Sequence, residues 1–115
     1  MATTSITALR RICLALPEAA EIETWEAPTF RVRNKIFAML QPWDGKPAVW
    51  LKAPPGSQAV LVGADPARFF APPYLGPKGW IGVVLPGADR AEVAALVRRS
   101  YRLVAPRKLA ALVGD

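Results

Sequence analysis

The sequence predicts an α+β fold: two layers, with an antiparallel sheet packed on N-terminal and C-terminal helices. Three observations predict it. Apolar stripes at helical spacing stand near both ends, Ile6/Leu9/Cys13/Leu16 and Val93/Leu96/Val97/Tyr101/Val104. Between them run short segments rich in β-branched and aromatic residues, separated by turn signals. The chain also carries 12 prolines in 115 residues, about twice the usual share, and these interrupt its middle.

The first helix covers residues 5–16. Ser5 is suited to its N-cap, because a hydroxyl there accepts from a free N–H of the first turn. Pro17 ends it, since the residue before a proline is biased away from helical geometry. An acidic connection with Glu18, Glu21, Glu23 and Glu26 follows. Next come two strands around Phe30 and Phe37, joined at Arg33-Asn34, where Asn tolerates left-handed backbone. Their register is open. A two-residue loop gathers Phe30, Val32, Phe37 and Met39 on one face, opposite Arg31, whereas a three-residue loop aligns Phe30 and Val32 with Ile36, Ala38 and Leu40.

Asp44-Gly45 is a second turn, leading to a third strand at residues 48–52 and completing a meander. Pro54-Pro55-Gly56 breaks the sheet, and residues 57–63 read as a short helix. Asp65 and Pro66 suit the cap and first position of a helical turn ending near Phe69-Phe70. Residues 71–77, with three prolines, hold at most a short edge strand. Trp80-Ile81-Gly82-Val83-Val84-Leu85 is a continuous apolar strand suited to a central place. Asp89 and Glu92 form a capping-box pattern at the start of the last long helix, which Pro106 stops. A terminal turn spans residues 108–113. No repeat or linker divides the chain, so residues 1–115 read as a single domain.

Composition excludes several chemistries. There is no histidine, which removes Ser-His-Asp and Cys-His nucleophile activation and the commonest zinc ligand. Cys13 is the only cysteine, so neither an intrachain disulfide nor a thiolate metal cluster can form. The acids do not pair at helical spacing, and the Glu18–Glu26 group reads as a solvated loop rather than a hard-cation site. No enzyme, cofactor or metal is expected. No apolar run reaches the roughly 18 residues of a membrane span, and no basic-then-apolar leader opens the chain, so the expected location is cytoplasmic. The formal net charge of +6 and a pI near 10.1 favour a polyanionic partner.

A set of local motifs runs in order through the chain: Leu16-Pro17, Trp25, Pro28-Thr29-Phe30-Arg31-Val32, Lys35-Ile36-Phe37-Ala38, the Lys52 strand, Tyr74, Gly79-Trp80 and Ser100-Tyr101. Together they resemble the MmcQ/YjbR family of small bacterial proteins, from about Leu9 to Leu112. Asn34 stands where the family pattern has glycine, and it supplies the same backbone geometry. The resemblance implies a frataxin-like α+β domain and a DNA-binding role through a double wing of hairpins. Iron handling by an acidic ridge does not carry over, because the first helix bears Arg10 and Arg11 and no acids.

On that resemblance, the candidate phosphate contacts are Arg31, Arg33 and Lys35 on the first hairpin and Lys78 before Trp80. Arg98, Arg99, Arg102, Arg107 and Lys108 form a second basic run, which helix-dipole complementarity and solubility also explain. Trp43, in the loop of residues 41–47, is the candidate stacking ring, although packing also explains it. Gly76-Pro77-Lys78-Gly79 lacks the spacing of a nucleotide-phosphate loop and leads into a strand. The expected function is weak, mainly electrostatic binding of DNA or another polyanion by a monomer or weak homodimer. The alternative is a protein-interaction or small-ligand module using the aromatic loops around Trp43, Phe69, Phe70 and Tyr74.

Overall fold

A bulge answers the register question in the first hairpin. In the computed structural model, which describes residues 3–24 and 27–114, Val32 pairs with Lys35 across a two-residue loop. Arg33 and Asn34 take φ 50° and 65°, the left-handed pair that a type I′ turn requires. One step on, Arg31 pairs with Ile36, but Phe30 pairs with Ala38, leaving Phe37 as the extra residue of a β-bulge. Phe37 therefore faces the helices in one register, and Ala38 and Leu40 do so in the other. All three are buried with Phe30 and Val32. Met39, expected beside Phe37 for a two-residue loop, turns to the opposite face of the sheet. Trp25 and Glu26 lie outside the described residues.

The sheet has six antiparallel strands: β1 (Ala20–Thr24), β2 (Ala27–Val32), β3 (Lys35–Leu40), β4 (Ala48–Leu51), β5 (Phe69–Phe70) and β6 (Ile81–Val84). Their spatial order is β1-β2-β3-β4-β6-β5. The helices are α1 (Ile6–Leu14), α2 (Ser57–Ala64), α3 (Arg90–Val104) and α4 (Arg107–Ala110). Leu9 and Cys13 of α1, Val93, Val97 and Tyr101 of α3 and Leu109 of α4 share one core with the inner face of the sheet. A smaller cluster of Ala48, Trp50, Phe70 and Val84 lies on the outer face, beside Met39, Leu75 and Trp80.

Helix starts follow the expected caps. The Ala8 N–H donates to Ser5 Oγ at 3.0 Å, and the Glu92 N–H donates to the Asp89 carboxylate at 3.1 Å. The first helix stops at Leu14, two residues earlier than expected. Asp44 and Gly45, at φ 52° and 74°, form the second I′ turn inside the Trp43–Lys46 bridge.

Two segments differ from the sequence reading. The acidic connection contains the edge strand β1, pairing from Ala20 opposite Arg31 to Thr24 opposite Ala27. Glutamate disfavours strands, but ladder bonds and the Thr29 hydroxyl, which donates to the Ile22 carbonyl at 2.5 Å, override that preference. In the second, the expected helical turn forms, with the Asp65 carbonyl accepting from Arg68 and Phe69 at 3.0 and 2.9 Å, but it runs directly into a strand. Phe69 and Phe70 then form the edge strand, pairing with Val83 and Gly82, so it precedes residues 71–77. Gly82 lies between Trp50 on one neighbouring strand and Phe70 on the other, and the Phe70 ring occupies the space where a side chain would stand. Among the described residues, no helix is long and apolar enough to cross a membrane.

Candidate functional site

Register brings four separate segments to one end of the sheet. The hairpin tip at Arg33-Asn34 begins β3. Leu51, the last residue of β4, pairs with Ala38 on one side and with Ile81, the first residue of β6, on the other. Lys52 follows Leu51 and lies opposite the bulged Phe37. There the Ser100 hydroxyl of α3 accepts from the Lys52 N–H at 2.9 Å and donates to the Phe37 carbonyl at 2.5 Å. The C-terminal half of α3 is thereby fastened to the same end. Neighbouring strands are about 4.8 Å apart, so β3, β4 and β6 span about 10 Å there.

Two adjoining clefts open around the turn after β4. Lys52, Pro54, Pro55, Pro77, Lys78 and Leu103 line one of about 360 Å³. Arg99 lines the other, about 390 Å³, with Pro55, Gly56, Ser57, Val60 and Leu61. Pro55 belongs to both, and among the described residues no acidic side chain lines either. Lys78 sits in a single 3₁₀ turn (Gly76–Lys78). The Gln58 side-chain amide ties α2 to that turn by donating to the Gly76 and Trp80 carbonyls at 2.8 and 2.6 Å. Asp44 and Asp89 lie at the far end, where the Leu85 N–H donates to the Pro47 carbonyl at 2.9 Å.

The three hairpin cations do not act as one row. Arg31 and Lys35 point to opposite faces, because Arg31 pairs with Ile36 and Lys35 with Val32. The Arg31 guanidinium donates to Thr29 Oγ1 at 3.1 Å, Asn34 Oδ1 at 3.2 Å and Thr24 Oγ1 at 2.8 Å. Its acceptors are neutral, so it keeps its charge in a fixed position. Arg33 is instead bidentate on Glu18, at 2.7 and 3.1 Å. Hydrogen bonding from Arg33 holds the Glu18 carboxyl below its ordinary range, and the same contact raises the Arg33 pKa. Lys35 is exposed beside the tip.

The remaining candidates divide. Arg102 Nη1 donates to the Ala110 carbonyl at 3.2 Å and also to the Val113 carbonyl, tying the chain end to α3. Arg98 is half-buried on the same helix. Trp43 stacks face to face on Phe70, with centroids 4.2 Å apart and planes 8° apart, so one face of its ring is already covered. Phe69 and Phe70 are buried, whereas Tyr74 is 91% exposed with a left-handed φ of 65°.

Lys52 was not singled out by the sequence reading, and Arg99 entered it only as one member of the second basic run. Lys52 is a lone lysine at a strand end, with no local pattern to mark it. Arg99 lies in the same basic run as Arg98, and only the orientation of α3 separates them. Two nitrogens of Arg99, Nε and Nη2, are buried without a hydrogen-bond partner. Burial lowers its pKa from the ordinary arginine value.

The chain is similar to the Deinococcus radiodurans protein DR2400, a DUF419-domain protein of known crystal structure, with TM-score 0.78 and 25% identity over 88% of this chain and 78% of that one. No curated protein matches it. A protein-family model described as YjbR matches residues 14–103. That match takes in the hairpin, both cationic clefts and the Ser100-Tyr101 pair: the chain belongs to the YjbR family.

Proposed function

We propose that this chain is a non-enzymatic DNA-binding protein of the cytoplasm, a monomer or weak homodimer that holds duplex phosphates by charge. The observation that carries the reading is the meeting of Lys35, Lys52, Lys78 and Arg99 at one end of the sheet, with no acid among the described residues lining the two clefts. The hairpin supplies one wing and the turn before β6 the other. Arg31 adds a fixed cation on the outer face, while Arg33 is held back by Glu18. Phosphate contacts orient a duplex without reading its sequence, so little sequence preference is expected.

Fluorescence anisotropy with a labelled random-sequence duplex at low salt tests this. Binding should be measurable, and replacing Lys35, Lys52 and Lys78 together by Ala should weaken it by about tenfold or more. Absence of binding, or binding unaffected by the triple replacement, overturns the reading. A second reading rests on Tyr74: an aromatic ring 91% exposed on a left-handed residue can anchor a protein partner. In that case Tyr74→Ala removes a partner and leaves any duplex affinity unchanged.

A further inference from the structure

We propose that the cleft lined by Arg99 is a site for a phosphate monoester, the doubly charged end group of a nucleic-acid strand or of a free nucleotide. The proposal deepens the nucleic-acid reading and rests on it for the strand-end source. Four features of the cleft converge on that chemistry.

The first is the state of Arg99. Its Nε and Nη2 are buried and have no partner. The residue as a whole is only half-buried, yet a guanidinium edge shut off from water and unpaired is a cost that proteins seldom carry without an acceptor to offset it. A guanidinium presents its donors in a planar fork that matches two phosphate oxygens. Burial also lowers its pKa from the ordinary arginine value.

The second is the start of α2, an eight-residue helix whose N-cap, Gly56, makes no side-chain cap bond. Gly56 and Ser57 line the cleft, so the positive end of the helix faces the same space as Arg99. The Ser57 N–H is already taken by the Pro54 carbonyl at 3.1 Å, which leaves the next N–H groups of the turn as donors. The third is the wall. Pro55, Val60 and Leu61 make it apolar, and about 390 Å³ is room for a phosphate with part of a sugar. The fourth is the neighbourhood, since Lys52 and Lys78 stand across Pro55. A monoester carries about −1.5 to −2 charges at neutral pH and has three strong acceptor oxygens. It answers this set of donors better than a singly charged backbone diester.

α2 also gives the anion a way in. None of its residues is buried, so its first turn can shift without opening the core. Gln58, which follows that turn, bonds to the Lys78 turn, so occupation of the Arg99 cleft reaches the neighbouring lysine cleft.

The test compares 5′-phosphorylated and 5′-hydroxyl versions of one duplex at matched salt, alongside NMR titrations with inorganic phosphate and AMP. The phosphorylated end should bind about tenfold tighter, a gain of about 1.4 kcal/mol. Arg99→Met should remove that gain and Arg99→Lys should keep part of it. Inorganic phosphate or AMP should shift the amides of residues 56–59 in the unaltered protein, a readout that needs no variant. Arg99→Met should fold at least as stably as the parent, because it deletes two buried donors that have no partner. If the amides shift with AMP or phosphate but the duplex end makes no difference, the site takes the free source. If neither duplex end nor small anion has an effect, or the gain survives Arg99→Met, the site is overturned. The wider DNA-binding reading would be untouched, since it is judged by Lys35, Lys52 and Lys78.

Discussion

The Ser100 hydroxyl donates to the Phe37 carbonyl at 2.5 Å, across 63 residues of sequence. Phe37 is the bulged residue of β3, and its ladder partner would have been Lys52. Ser100 inserts between them, satisfying the carbonyl of one and the N–H of the other. The next residue, Tyr101, packs its ring edge-on against Phe37 at 5.3 Å and donates its hydroxyl to the Pro17 carbonyl at 2.7 Å. One dipeptide of α3 thus joins the bulge, the start of the Lys52 turn and the segment that follows α1.

Ser100→Ala should therefore destabilise the protein by about 1–3 kcal/mol, because two buried backbone groups lose their partner. Urea denaturation measures it. A change within error of zero would mean that Phe37 and Lys52 close directly on each other.

Gly82→Ala should destabilise by about 1–3 kcal/mol, the range for overpacking. A methyl there would land inside the Phe70 ring, which fills the space above Gly82 and carries Trp43 on its other face. Thermal unfolding gives the stability, and tryptophan fluorescence should report the displaced stack.

Glu18 should titrate below its ordinary value of 4.5, as read by carboxyl NMR, and Arg33→Ala should return it there. Its native pKa is depressed, so its contribution to folding is present above about pH 4.5 and is lost as the pH falls through the native value. Glu18→Gln should also free Arg33 for phosphate. Duplex affinity should then rise, and the salt slope should steepen by about 0.9, the share of one contact.

Cys13 is fully buried, and burial, with Glu21 adding to it, pushes its thiol far above the usual range. Iodoacetamide should label it only after unfolding. The raised native pKa keeps the thiol neutral in the fold while the unfolded chain ionises. Stability should accordingly hold below about pH 9 and decline above it. Rapid labelling of the native protein would contradict this.

What the sequence made legible was local. Ser5, Asn34, Asp44-Gly45 and Asp89 act within a few residues of themselves, and each performs the expected turn or cap. The stripe from Val93 to Val104 faces the sheet as its period requires. What escaped depends on distant partners. β1 is a strand because β2 lies beside it, despite its glutamates. The hairpin register needed the bulge at Phe37, and the bulge is supported by Ser100, far along the chain. The candidate site split for the same reason. Arg31, Arg33 and Lys35 look alike in sequence, yet one is fixed by neutral acceptors, one is paired with Glu18 and one is exposed. Lys52 joins Lys78 only through the order of strands, and Arg99 joins them only through the docking of α3.

The central claim is that cations from separate segments form one phosphate-binding end. The most direct measurement is the slope of log affinity against log salt for a generic duplex, comparing the parent with two charge-matched triple variants. Replacing Lys35, Lys52 and Lys78 by Ala should reduce the slope by about 2.7, roughly 0.9 for each contact. Replacing Arg11, Lys46 and Arg90, which are exposed but line neither of the two clefts, should leave it nearly unchanged. Equal losses in both variants would mean that the charge acts without a site, and would contradict the account.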